Sequence, residues 1–147
     1  MGAIADIRGI LERSNTVATV GASTNPAKAA SGVPEHLKRI GFHVIPVNPN
    51  ASEILGERSL GSLLDVDEPV DVVQVFRPSG EAPAIARQAV QIGAKVLWLQ
   101  LGITSREARE IADEAGIEFV EDRCMAKESR RLRIRKDSNQ SRADRAS

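Results

Sequence analysis

The residues able to do chemistry fall at a few points of the chain, each just after an apolar run. Gly21-Ala22-Ser23 follows TVATVG (16–21), and Val47-Asn48-Pro49 closes HVIPVNP (43–49). Phe76-Arg77-Pro78 closes VDVVQVF (70–76), and Gln100-Leu101-Gly102 closes KVLWLQLG (95–102). Glycine lets a backbone turn sharply and approach a ligand. Lys28 and Arg77 supply cations suited to phosphate. Lys28 and Ser31 stand just ahead of a predicted helix, whose first N–H groups favour an anion. This is binding chemistry. No Ser-His-Asp set and no carboxylate pair can be assembled at these points, and Glu121 and Asp122 are adjacent in a predicted strand, so they face opposite ways. The expectation is a protein without a catalytic constellation.

The other reactive residues have plainer readings. The single cysteine, Cys124, excludes a disulfide framework and a multi-thiolate site. Two histidines are too few for a histidine-rich metal centre. His36 reads as an exposed helix residue, His43 as a satisfied structural or surface residue, and Trp98 as core.

Five elements of one type and several of another must position these groups. The apolar runs at 16–21, 43–49, 70–76, 95–102 and 117–122 read as strands, apolar on both faces as in a covered parallel sheet. Ile4, Ile7 and Leu11 mark an amphipathic helix ahead of the first strand. Further helices are expected at 33–41, stopped by Gly41, at 81–94, and at 105–116, where Ser105 caps and Gly116 stops. A short helix is expected at 59–64. Alternating strands and helices specify an α/β fold: a single Rossmann-like, doubly wound, parallel five-stranded sheet with helices on both faces. The expected order is 3-2-1-4-5, with a ligand crevice between the first and fourth strands outside their carboxyl ends.

The chain has 147 residues, suited to one domain. Its aromatics, Phe42, Phe76, Trp98 and Phe119, are too few for a base-stacking module. No apolar run approaches the roughly 20 residues that span a bilayer. The N-terminus has no long apolar core of a signal peptide, so a cytoplasmic protein without a membrane partner is expected. The zero net charge hides an asymmetry: residues 127–147 hold eight Lys/Arg and three Asp/Glu, whereas 1–126 hold twelve and seventeen. Residues 1–135 read as the folded domain and 136–147 as a basic disordered tail. A nucleic-acid-associated protein using that tail is one alternative, although the acidic body offers no dedicated nucleic-acid site.

Two nucleotide motifs can be tested directly. A GxGxxG beginning at Gly21 needs glycines at 23 and 26, where the chain has Ser23 and Pro26. A dinucleotide site also wants an acid after the second strand for the ribose hydroxyl. Asn48 stands there. Both departures weigh against the other alternative, an NAD(P)-binding oxidoreductase domain. The loop also lacks the Gly-Lys-Ser/Thr of a nucleotide-hydrolysing P-loop.

Taken in order, VGAS-x-NPAKAASGV, GFHVIPVNPNASEILGERSLGSL, VDVVQVFRP, VLWLQLGI and EDRCM resemble the small prokaryotic CoA-binding proteins, whose fold is similar to the nucleotide-binding domain of the succinyl-CoA synthetase alpha subunit. The resemblance covers about residues 10–128. It implies a Rossmann-like domain that binds coenzyme A or an acyl-CoA at the strand ends, as a carrier, sensor or docking module with no reaction of its own. A homo-oligomer or protein partner fits that role. By motif, Gly21, Ala22 and Ser23 would lie against the diphosphate, with Pro26, Lys28 and Ser31 closing over its phosphates. Val47, Asn48 and Pro49 would flank the adenosine end. Phe76, Arg77 and Pro78 would line the other wall, with Gln100 and Gly102 as the floor. Cys124 would lie near the pantetheine end, beside Arg123, or else serve as a small packed residue.

Overall fold

The computed structural model describes residues 5–136. Five strands form one parallel sheet: β1 (Thr16–Val20), β2 (His43–Val47), β5 (Val72–Val75), β6 (Val96–Leu99) and β7 (Glu118–Val120). Helices α1 (Ile7–Arg13), α2 (Ala29–Arg39) and α5 (Met125–Arg131) belong to one side of it, and α3 (Ala82–Gln91) and α4 (Arg106–Ala115) to the other. The two-residue periodicity of the strands builds both cores. Val17, Val72, Val96 and Trp98 pack toward Leu37 and Met125, while Ala18, Val73, Leu97 and Leu99 pack toward Ala86 and Ala112. The fold is the expected Rossmann-like α/β sheet with helices on both faces, and Trp98 is fully buried as expected.

The strand order differs from the expected one. In chain order of the five long strands it is 2-1-3-4-5, because β5 pairs with β1 on the side away from β2. Two local facts enforce this. Pro46 lies inside β2 and has no N–H, which suits an edge strand. The outer edge of β2 is also occupied: Leu60 N–H donates to Pro46 O (3.0 Å), and Asn48 N–H donates to Leu60 O (2.8 Å). The topological switch therefore lies between β1 and β5, not between the first and fourth strands.

Three further elements depart from the sequence reading. A hairpin, β3 (Glu53–Ile54) and β4 (Glu57–Arg58), turns through Leu55-Gly56 and is latched to α2 by Lys38, whose Nζ donates to Leu55 O (2.7 Å). The short helix expected at 59–64 is a single 3-10 turn, Leu63–Asp65, capped by Ser62. Helix α2 starts at Ala29, four residues ahead of the expected boundary, and carries Pro34 inside it.

Helix α5 carries much of the basic segment, so the positive charge is docked. Residues 127–136 hold six basic residues and one acid, and 137–147 hold two of each. Ile134 is buried. Lys136 N–H donates to Ile40 O (2.8 Å), and its ammonium donates to Leu11 O (2.8 Å) and Glu12 O (2.6 Å) at the end of α1. Burial pushes the Lys136 ammonium below its ordinary pKa. The rest of the expected tail lies outside the described residues. No helix among the described residues is long and apolar enough to cross a membrane.

Candidate functional site

At the switch point the two loops that leave β1 and β5 must come very close. Gly21 is at φ +87°, and a Cβ there would stand 2.9 Å from Arg77 Cδ and 3.4 Å from the Phe76 carbonyl carbon. Only glycine combines that conformation with that approach. Gly21 N–H donates to Val47 O (2.9 Å), which joins the loop to the end of β2.

The loop is then tied down by polar groups that the sequence suggested for a ligand. Asn48 Nδ2 donates to Ala22 O (2.9 Å), and Asn48 Oδ1 accepts from Asn50 N–H (2.8 Å). Ser23 N–H donates to Ala30 O (3.0 Å). That carbonyl is available because its helical partner would be residue 34, a proline without an N–H. Pro34 thus does not break α2; it frees the carbonyl that anchors the glycine loop. Ser23 Oγ accepts from Asn25 N–H (3.0 Å). Among the described residues, the N–H groups of Ala29 and Ala30 at the start of α2 have no acceptor, as expected for the open end of a helix.

A cleft of about 570 Å³ opens at this switch point, on the α3 side of the sheet. Of the residues singled out from sequence, Gly21, Val47, Asn48, Pro49 and Arg77 line it. Ala22 is fully buried beneath the loop, and Ser31 is buried in the first turn of α2. Pro26 and Lys28 are exposed on the loop outside the cleft, and Pro78 and Gly102 are exposed at neighbouring strand ends. Phe76 is half-buried and packs toward the α5-side core.

Gln100 is not on the cleft wall. It belongs to a buried chain on the opposite face. Thr19 Oγ1 donates to Gln74 Oε1 (2.8 Å), Gln74 Nε2 donates to Gln100 Oε1 (3.1 Å), and that same oxygen accepts from Met125 N–H (2.9 Å). Gln100 thereby satisfies the first free N–H of α5, where Cys124 supplies no side-chain cap.

The cleft also uses residues the sequence reading missed. Asn50, Gly61, Ser62 and Leu63 come from the connection after β2, and Gly80, Glu81, Ala84, Ile85 and Gln88 come from the start of α3. The second group was legible: 81, 84, 85 and 88 share one helical face. The first was not, since its place depends on Leu60 docking along β2.

Arg77 and Glu81 are the charged residues of the lining. Arg77 Nε donates to Glu81 Oε1 (3.1 Å) and Nη2 to Oε2 (2.7 Å). This fork holds the guanidinium above its ordinary pKa and the carboxyl below its own, each chiefly through the hydrogen bond to the other. A second depression of about 570 Å³ runs along the outer edge of β2, where Glu57, Asp65, Asp67 and Glu68 outnumber Arg58 and His43, a setting that disfavours anions.

The remaining reactive groups lie elsewhere. His43 Nε2 pairs with Glu68 (2.9 Å) on the surface. His36 is not the exposed residue expected: its Nε2 is buried, with no partner among the described residues, where α5 packs against α2. Cys124 is half-buried and packs on the α5-side core. No group of three or more His, Cys, Asp or Glu is placed to hold a metal among the described residues.

The chain is 36% identical over 121 residues to YneT of Bacillus subtilis (strain 168), named as uncharacterized, covering 82% of this chain and 90% of that one. It is 33% identical over 94 residues to acetate–CoA ligase (ADP-forming) II of Archaeoglobus fulgidus, covering 63% of this chain but 14% of that ligase. A solved structure of a hypothetical protein from Pyrococcus horikoshii OT3 superposes with a TM-score of 0.85 at 41% identity, covering 88% of this chain and 91% of the other. The pattern of the CoA binding domain matches residues 15–130, a span that holds every strand of the main sheet and both walls of the cleft, and the chain belongs to that family.

Proposed function

We propose that the chain binds coenzyme A, free or acylated, in the cleft between the ends of β1 and β5, and that it works as a carrier, sensor or docking module without a reaction of its own. The observation that carries this is the approach of Arg77 over Gly21. It packs the stem of Arg77 on the glycine backbone and so sets a guanidinium and the glycine loop side by side in the lining of one cleft. Coenzyme A carries a diphosphate and a 3′-phosphate, about four negative charges near neutral pH. Arg77 and the glycine loop hold the phosphates in this reading, with Lys28 closing from outside. Val47, Asn48 and Pro49 flank the adenosine end. Phe76, Pro78 and Gly102 support the neighbouring rim, and Gln100 acts from behind the sheet.

Asn48 argues against NAD for a reason beyond its missing charge. Its Nδ2 donates to Ala22 O and its Oδ1 accepts from Asn50 N–H, so the side chain is pinned to the glycine loop and is not free to turn to a ribose hydroxyl. Calorimetric titration with coenzyme A, dephospho-CoA and NAD tests the proposal. Coenzyme A is expected to bind, and NAD to bind at least about tenfold more weakly, the value of one lost charge-assisted contact. Equal affinity for NAD, or no binding of coenzyme A, overturns it.

A further inference from the structure

We infer that Glu81 sets the anion selectivity of the cleft: it occupies Arg77 until a ligand with more than one negative charge displaces it. This rests on the reading of the cleft as a coenzyme A site, which it deepens. Arg77 and Glu81 are the charged groups of the lining, so the walls of a cleft meant for a polyanion sum to zero. The guanidinium is held in place at the cleft, with its head open to a change of partner. Its stem lies against Gly21, and its head holds both oxygens of Glu81 in a fork.

The consequence is a competition. Glu81 is four residues away on the same segment, so its carboxylate is present at high effective concentration. A singly charged ligand offers Arg77 the same kind of partner and must also give up its own translational freedom, so it does not exchange. A diphosphate offers a second charge and more acceptor oxygens, so it does. After exchange the Glu81 carboxylate remains beside the bound anion and opposes it. No structural duty ties Glu81 down: it precedes α3 without making a side-chain cap bond, and its side chain is 49% exposed.

Glu81→Gln removes the charge and nearly preserves the shape; Glu81→Ala removes the hydrogen bonds as well. Both are compared with the parent by calorimetry against coenzyme A, inorganic pyrophosphate and acetate, after thermal melting confirms the fold. For both variants, coenzyme A and pyrophosphate are expected to bind about three- to tenfold more tightly at low ionic strength, with the gain shrinking as salt screens the exposed charge. Acetate is expected to compete with pyrophosphate in the variants and not in the parent. Unchanged or weaker binding of both polyanions by both variants overturns the inference. If coenzyme A binds the parent and neither variant gains, the selectivity role falls and the coenzyme A reading stands. If pyrophosphate tightens while no protein binds coenzyme A, the reverse holds. If no protein binds either anion, both fall.

Discussion

Two polar clusters grow from neighbouring strands of one sheet, and they differ in how their hydrogen bonds are closed. On the α5 side, Thr19, Gln74 and Gln100 run as a chain to Met125 N–H, and all three side chains are at most 2% exposed. Water does not compete there, so an unmade bond costs the desolvation of the group left over. On the α3 side, Arg77 and Glu81 satisfy one another, but both are about half exposed and can exchange partners. The first cluster holds α5 and the sheet together. The second is suited to a ligand. Burial, more than residue type, separates the two clusters, which is why Gln100, read as a ligand contact from its strand-end position, is found in a buried hydrogen-bond chain.

That contrast can be broken from either side. The largest effect is expected from Gln100→Ala, which strips the acceptor from both Gln74 Nε2 and Met125 N–H. Two buried donors left unpaired should cost about 2–4 kcal/mol in urea unfolding. The folded fraction should still bind coenzyme A as the parent does. A drop in affinity without a drop in stability would return Gln100 to the cleft floor.

Gly80→Leu is the mirror experiment. Gly80 lines the cleft, and a Cβ there meets nothing within 4 Å. The side chain should project into the cleft and weaken coenzyme A binding by about tenfold, or roughly 1.4 kcal/mol, while the melting temperature stays near that of the parent. Retained affinity would move the ligand away from α3.

Asn48→Asp sharpens the comparison at the loop. The aspartate cannot donate to Ala22 O and sets a carboxylate against that carbonyl, so we expect about 1 kcal/mol of lost stability. Because the defect is in the loop itself, coenzyme A and dephospho-CoA should lose affinity together. A loss confined to coenzyme A and relieved by salt would mean that Asn48 senses the 3′-phosphate by charge instead.

The smallest effect belongs to the closed side and is read by pH. His36 is held below its ordinary pKa of 6.5, first by burial and then by Arg130 and Arg39. The unfolded chain therefore takes up this proton more readily than the folded one. Stability from this group is present above 6.5 and is lost as pH falls below it. Relative to His36→Gln, the parent's melting temperature should fall by a further degree or two, about what a few tenths of a kcal/mol produce, between pH 7 and 5. Parallel curves would show that the α2–α5 contact does not sense this histidine.

The sequence made the strands legible because β-branched runs such as TVATV and VVQV admit little else, and Ser105 and Gly116 bounded α4 by ordinary capping. The order of the sheet was also within reach: Pro46 inside the second strand argues for an edge position, which the expected order did not give it. Helix α5 was hidden by composition: residues 125–131 read as part of the folded domain without an element, because their basic side chains obscure the buried face of Met125, Ala126 and Ser129. Of the candidate site, the strand-end residues could be named, because the carboxyl ends of parallel strands are where ligands bind. Which of them face the cleft could not be, because that depends on Leu60 covering β2 and on Gln74 claiming Gln100 from the neighbouring strand.

An amide chemical-shift titration of the isotope-labelled chain tests most directly where coenzyme A sits. Shifts are expected at Gly21, Asn48, Gly61, Gly80 and Glu81, with Met125, Gly116 and the outer edge of β2 unmoved. Shifts concentrated at Val44, Glu57 and Glu68, or at α5 with the cleft silent, would contradict that placement.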